Sequence, residues 1–316
     1  MLLGLTSVNA QQQPPTSSGN SGTVNLFFSV IDKNGHALTT LSREDIRVLE
    51  DGQPQEIAAF TTQTDKPLAI VVMLDMSMSQ ERVIPAAKSA SLEFVDSIIR
   101  PGKDSVGVLT FTHEAKLEQE LTTGLGQVRQ AIERVTFQPP VGYSNGIYVM
   151  GQPPKRGQGP IFPGSTAIWD AIGFASENVG LHAAYSMRRA FILFTDGNDT
   201  SSRLKLNEAV ESAIKSGVAV YSIGIGDESY GGTSEGELRK ISERTGGHAY
   251  FPKKVKDMQS VFDEIGQELR SQYLVSYSST AGKARDKMRK IKIELVNPEL
   301  RKQGLQLSYQ QGYFTR

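Results

Sequence analysis

Residues Leu68–Leu74, LAIVVML, form an unbroken apolar run that leads directly to Asp75, Ser77 and Ser79. A run of that length without alternation reads as a strand buried on both faces, as at the centre of a parallel sheet covered by helices. The C-terminal end of such a strand is a position for function, because ligands in open α/β sheets collect beyond the carboxyl ends of the strands. One carboxylate and two hydroxyls there, in the pattern D-x-S-x-S, suit a hard divalent cation. Mg2+ takes oxygen ligands in octahedral array and is commonly bound through one or two carboxylates while keeping several waters. The same residues also serve as ordinary turn and helix N-cap groups, so the pattern by itself leaves both readings open.

Two further pieces lie downstream. Gly164-Ser165-Thr166-Ala167 precedes a helix-like segment, and Ala190–Phe194 is a second apolar run that ends in Thr195-Asp196-Gly197. With these pieces in order, the chain resembles the von Willebrand factor A-type domain, whose metal-ion-dependent adhesion site combines D-x-S-x-S, a later Thr and a later Asp on three loops. The resemblance implies Asp75, Ser77, Ser79, Thr166 and Asp196 as metal ligands, and Mg2+ as the cofactor, with Mn2+ or Ca2+ as substitutes. It also implies a protein partner that offers an Asp or Glu carboxylate. Two carboxylates against a dication, with neutral hydroxyls elsewhere, leave the metal electrophilic enough to take a further oxygen from outside. Met78 departs from the family, which often has Gly there, and a side chain narrows the backbone freedom of the loop. Asp170, one turn along the expected helix from Thr166, is placed either to support the metal loop through a hydrogen bond or to face solvent.

At 316 residues the chain is long enough for one α/β domain and a smaller unit. Its 34 basic and 34 acidic residues balance, with none of the basic excess that nucleic acid or an anionic membrane surface calls for. The absence of cysteine excludes disulfides and Cys-based zinc sites. No apolar run approaches the roughly eighteen residues of a membrane span. Met1–Ala10, MLLGLTSVNA, is mildly apolar and has Val8 and Ala10 in the small-residue positions of a cleavage site, so it reads as the tail of a signal peptide and points to an exported, periplasmic or extracellular protein. Gln11–Gly22 reads as a polar linker.

The remaining pattern gives the organisation. Alternation at Val24, Leu26, Phe28 and Val30, then around Ile46, Val48, Ile57 and Phe60, marks short strands that are too few to be stable alone. Matching alternation recurs at Tyr273–Tyr277, Ile291–Leu295 and Leu305–Tyr309. The expected architecture is therefore a doubly wound, mostly parallel α/β domain at 67–270, inserted into a small antiparallel β-domain built from 23–66 and 271–316, after a linker at 1–22. Segments at 32–55 and Gly312-Tyr313-Phe314 resemble the ends of a bacterial, Acidobacteria-type subfamily of these proteins. The stretch 138–163 is far longer than the connections usual in such a domain and is rich in Pro, Gly and aromatics. Tyr143, Tyr148, Lys155, Arg156 and Phe162 in it are candidate partner contacts, since Tyr and Arg are enriched in binding hot spots.

Enzyme chemistry fits less well. An aspartyl-phosphate hydrolase using Asp75 needs a second carboxylate two residues on, where Ser77 stands. There is no G-x-S-x-G elbow, the four His residues fall on different expected elements, and Gly224-Ile225-Gly226 lacks the rest of a nucleotide fingerprint. The sequence thus favours a non-enzymatic binding module, with a metal-dependent phosphate-ester hydrolase and a structural module with an empty site as alternatives.

Overall fold

The computed structural model describes residues 23–139, 143–144, 147–148, 164–180, 182–183, 187–226, 232–253, 257–280 and 286–315. The signal-like segment and linker, and the candidate contacts Lys155, Arg156 and Phe162, lie outside these residues, while Tyr143 and Tyr148 are described by their backbone alone.

From the N-terminus, β1 (Thr23–Ile31), β2 (Ile46–Glu50), β3 (Gln53–Gln55) and β4 (Ile57–Gln63) precede the long apolar strand β5 (Leu68–Asp75). Then follow α1 (Ile84–Ile98), β6 (Ser105–Phe111), β7 (Ala115–Thr122) and α2 (Leu125–Arg134). The two-residue strands β8 (Tyr143–Ser144) and β9 (Ile147–Tyr148) pair with each other. Next come α3 (Ile168–Ala175), β10 (Arg188–Thr195), α4 (Leu206–Lys215), β11 (Val218–Gly224), α5 (Glu235–Thr245), β12 (Ala249–Tyr250) and α6 (Met258–Arg270). The last elements are β13 (Gln272–Ser278), β14 (Met288–Leu295), the short α7 (Pro298–Arg301), β15 (Gln306–Tyr309) and β16 (Gly312–Phe314).

The central sheet has the order β12-β11-β10-β5-β6-β7, parallel throughout except for the antiparallel edge strand β7. Every residue of β5 and β10 is buried. The apolar run alternates in three dimensions even though it does not in sequence. Leu68, Ile70, Val72 and Leu74 pack under α1, α2 and α6, whereas Val71 and Met73 pack under α3, α4 and α5. That is why the run cannot tolerate a polar residue on either phase.

The chain ends form two four-stranded antiparallel sheets, ordered β15-β1-β13-β4 and β16-β14-β2-β3. They share one core, with Phe28, Val275 and Tyr277 of the first facing Val48, Ile293 and Tyr313 of the second. The expected β-domain is therefore a sandwich of two sheets, each containing strands from both chain ends. Pairing of β1 with β13 and of β2 with β14 fastens the ends together around the inserted α/β unit.

Candidate metal centre

Parallel pairing in register, Phe194 beside Leu74, ends β5 and β10 at the same level and sets Asp75 next to Thr195. Asp75 is 3% exposed, Asp196 1%, and Ser77 and Thr166 are also buried. Three loops and the turn after β6 meet at these strand ends, and their backbones are stitched together. The Met76 N–H donates to Phe111 O at 2.8 Å and Met78 N–H to Gly164 O at 3.2 Å. Ala167 N–H donates to Thr112 O at 2.7 Å, and Thr166 O accepts from Thr200 N–H and Ser201 N–H at 2.9 and 3.0 Å. Gly164 sits at φ +91°, a backbone conformation that a side chain would strain, which presents its carbonyl to the first loop.

Asp75 Oδ1 accepts the Ser77 N–H at 2.9 Å, and its Oδ2 accepts the Thr195 hydroxyl at 2.6 Å. Ser77 Oγ and Ser79 Oγ lie 3.2 Å apart. Asp196 Oδ1 accepts the Asn198 N–H at 2.8 Å, but its Oδ2 is buried with no hydrogen-bond partner. Burial pushes the Asp75 carboxyl up to about 7; hydrogen bonds from Ser77 and Thr195 oppose the rise and the nearby Asp196 charge adds to it. Two buried carboxylates thus face each other's field without a Lys or Arg bridging either one among the described residues.

Among the described residues no cluster of three or more His, Asp or Glu side chains forms a site for a softer or fully anionic metal cage. The candidate donors are two carboxylates and three hydroxyls, all hard oxygens. They fit Mg2+, Mn2+ or Ca2+ in kind, and the orphaned Asp196 Oδ2 is the oxygen most in need of a cation.

Met78 imposes no strain. It opens a right-handed 3₁₀ turn over Met78–Gln80, and the only non-glycine residues with positive φ among those described are Asp51 and Asp286. The loop here therefore does not require the glycine that the resemblance associates with it.

The helix expected from Thr166 begins instead at Ile168, which leaves Thr166 in the loop. Its cap comes from a distant segment: Asp199 Oδ1 accepts Ile168 N–H at 2.8 Å, and Ser202 Oγ accepts Trp169 N–H at 3.0 Å and Asp170 N–H at 3.2 Å. Asp170 does not reach the D-x-S-x-S loop. Its carboxylate accepts the N–H groups of Arg203 and Leu204 at 2.8–3.0 Å, which binds the third loop to α3. Thr195, Asp199 and Ser202 are positioning residues that the motif reading passes over. Their only sequence signal is the density of hydroxyl and carboxylate residues in TDGNDTSS, 195–202.

A parallel sheet with D-x-S-x-S, Thr and Asp brought to the strand ends on three loops defines an A-type α/β domain. Family models of the von Willebrand factor type A domain match residues 70–198 and 158–264, and the chain is a von Willebrand factor type A domain protein. No curated protein sequence matches it. Among solved structures, proximal thread matrix protein 1 from the mussel byssus is similar at 18% identity and TM-score 0.53, over 70% of this chain and 51% of that one. A form of the same mussel protein with a zinc-occupied MIDAS motif aligns at 18% identity and TM-score 0.49, over 70% and 50%. A von Willebrand factor type A protein from Catenulispora acidiphila aligns at 16% identity and TM-score 0.49, over 92% and 73%. These likenesses concern the fold, and the chain spans about half the length of the mussel protein. No described helix is long and apolar enough to cross a membrane.

Proposed function

We propose that the chain is a non-enzymatic, divalent-cation-dependent protein-binding module whose metal is held by Asp75, Ser77, Ser79, Thr166 and Asp196. The observation that carries this reading is the buried, unpartnered Oδ2 of Asp196 beside the buried Asp75 carboxylate. Mg2+ bound there would supply an electrophilic centre able to accept a carboxylate oxygen from a partner protein. Asp75 and Asp196 contribute the charge that holds the ion. Ser77, Ser79 and Thr166 contribute neutral oxygens, so part of the cation's charge is left uncompensated. Thr195 fixes the orientation of Asp75 through its 2.6 Å hydrogen bond. The stretch 138–163 ends two residues before Ser165, and its Tyr143, Tyr148, Lys155, Arg156 and Phe162 are the proposed partner contacts.

Thermal unfolding of the full chain in Mg2+ or Mn2+ against chelator tests the site. The midpoint is expected to rise with metal in the parent and to be indifferent to metal in Asp75→Ala, as linkage of an occupied site requires. Identical curves for the parent with metal and with chelator would leave a structural module with an empty site. Metal-dependent turnover of a model phosphate ester, lost in Asp75→Ala, would make the protein a hydrolase instead.

A further inference from the structure

The outermost strand of the central sheet, β12, and the outermost strand of the first sandwich sheet, β15, lie near each other without joining into one sheet. Two contacts hold the edges close. The Gln311 N–H donates to Arg244 O at 3.1 Å, and Gly246, at φ +91°, lies so near β15 that a Cβ there would meet Gln310 N at 2.8 Å. Beside these contacts is a cavity of about 510 Å³, lined from α5, β12, α6 and β15. That volume falls within the roughly 300–1,000 Å³ of small-molecule sites. Such sites are mostly apolar, but here Ala249 and Leu307 are the only aliphatic side chains among the described lining residues.

The polar lining divides into groups already engaged and groups that are not. Arg239 Nη2 pairs with Glu235 at 3.0 Å, and its guanidinium stands over the Phe251 ring, 4.6 Å from the centroid. His248 Nε2 is hydrogen-bonded with Ser308 Oγ and lies 3.6 Å from the fully buried Glu268, which does not itself reach the cavity. The Tyr250 hydroxyl donates to Glu264 Oε1 at 3.1 Å. Glu264 Oε2 accepts no hydrogen bond from the described residues and lies against Gly35, where a Cβ would meet it at 2.9 Å. By contrast, the exposed side chains of Glu243, Gln306 and Gln311 have no partner among the described residues, and neither has the Tyr309 hydroxyl. The strand edge adds backbone groups. The Ser222 N–H donates to His248 O at 3.0 Å and Ser222 stands opposite Ala249, so the N–H and C=O of Ala249 turn away from β11, to the side of the cavity. The uncommitted charges of the described lining are therefore acidic. Lys292, near Tyr309, is paired with Glu294 at 2.8 Å.

We propose that this cavity binds a neutral sugar, a pyranose either free or at the end of a glycan, through Glu243, Gln306, Gln311 and the Ala249 backbone. Each sugar hydroxyl is at once donor and acceptor, which suits a carboxylate that only accepts beside amides that do both. The C–H face of the ring would pack on Tyr309, whose aromatic face is apolar while its hydroxyl is polar. An apolar ligand would strip water from Glu243 and the two amides without replacing its hydrogen bonds, and an acidic sugar would meet like charge. The site does not draw on the metal centre.

The test is saturation-transfer NMR and calorimetric titration of the full chain with glucose, galactose, mannose and N-acetylglucosamine, all in chelator so that the metal centre cannot respond. At least one is expected to bind with Kd on the order of 1 mM, as suits a ligand of about a dozen heavy atoms. The uronates of the same hexoses are expected to bind at least about tenfold more weakly. Glu243→Gln and Gln306→Ala alter exposed side chains. The first is expected to weaken binding about tenfold, the loss of a charge-assisted hydrogen bond, and the second about three- to tenfold. A methyl glycoside that binds as well as its parent sugar assigns the site to the end of a glycan, whereas binding of the free sugar alone assigns it to a monosaccharide. No response to any of the four sugars, uronates bound as tightly, or binding unchanged in both variants would overturn the proposal. Spermidine bound in place of every sugar would also overturn it and make the lining an acidic site for cations.

Discussion

At the scale of the residue, the proposed metal centre depends on a hydroxyl that is not one of its five proposed ligands. Thr195 donates to Asp75 Oδ2 at 2.6 Å and accepts the Gly197 N–H at 3.1 Å, so one hydroxyl sets both the carboxylate and the turn that carries Asp196. Thr195→Val keeps the shape and removes both bonds. It is expected to weaken metal binding by about 10- to 100-fold, the usual effect of losing a group that orients a ligand, measured by titrating Mn2+ against the thermal midpoint. An unchanged affinity would mean that Asp75 needs no orientation. Met78→Gly tests the opposite point. Because Met78 already lies in a right-handed turn, added backbone freedom has nothing to relieve. The variant is expected to lose about 0.5–1 kcal/mol of stability with no gain in metal affinity, and a tighter site would show that the parent loop is strained. The five proposed ligands were legible as a motif because three of them repeat at fixed spacing after an apolar run. Thr195 was not, since its role depends on the register of β10 against β5.

At the scale of the element, α3 illustrates what periodicity can and cannot find. Its apolar face, Ile168, Trp169, Ala171, Ile172 and Ala175, is plain in the sequence, yet its start was expected two residues early. No side chain at the local N-cap accepts a hydrogen bond, and the capping oxygens arrive from Asp199 and Ser202 on the third loop. Asp199→Ala is therefore expected to cost about 1–2 kcal/mol, the upper range for a lost cap. It should also weaken metal binding, because Thr166 lies two residues before the helix that this carboxylate fixes. Equilibrium denaturation and the Mn2+ titration measure the two effects, and a stability loss without a metal effect would separate the cap from the site. The start of β10 also depends on contacts that are distant in sequence. The apolar run begins only at Ala190, whereas the strand opens two residues earlier, with Arg188 and Arg189 buried in it. Their terminal nitrogens donate to carbonyls of Leu269, Gln63, Ser216 and Ala183, most of them remote in sequence.

At the scale of the whole molecule, the sandwich and the α/β unit are joined by continuity as well as by contact, since only Ser271 separates α6 from β13. The alternating strands of both chain ends made an antiparallel unit legible. Its division into two sheets was not, because pairing partners such as Ile293 and Val48 are far apart in sequence and nothing local assigns a strand to one sheet or the other. The joint itself is polar. Glu268, near the end of α6 and fully buried, accepts hydroxyl hydrogen bonds from Ser29 of β1 and Tyr221 of β11 at 3.0 Å each, and His248 Nε2 lies 3.6 Å from its second oxygen. Burial raises the Glu268 carboxyl above its usual range; His248 and the hydroxyls of Tyr221, Ser29 and Ser308 pull it back only in part. The folded protein therefore holds this proton more tightly than the unfolded chain does. Its contribution to stability is fully present below the unfolded value and is lost as pH rises through the folded one. Glu268→Gln keeps an oxygen to accept from these hydroxyls and does not titrate. Its melting midpoint relative to the parent is expected to climb as pH is raised from about 4.5, near the unfolded carboxyl value, to neutrality and above. Asp75 titrates with the same sign, but it is common to both proteins and cancels in the difference. If instead the parent gains on Glu268→Gln as pH rises, attraction between the ionised carboxylate and His248 outweighs burial, and the joint is held by charge rather than strained by it.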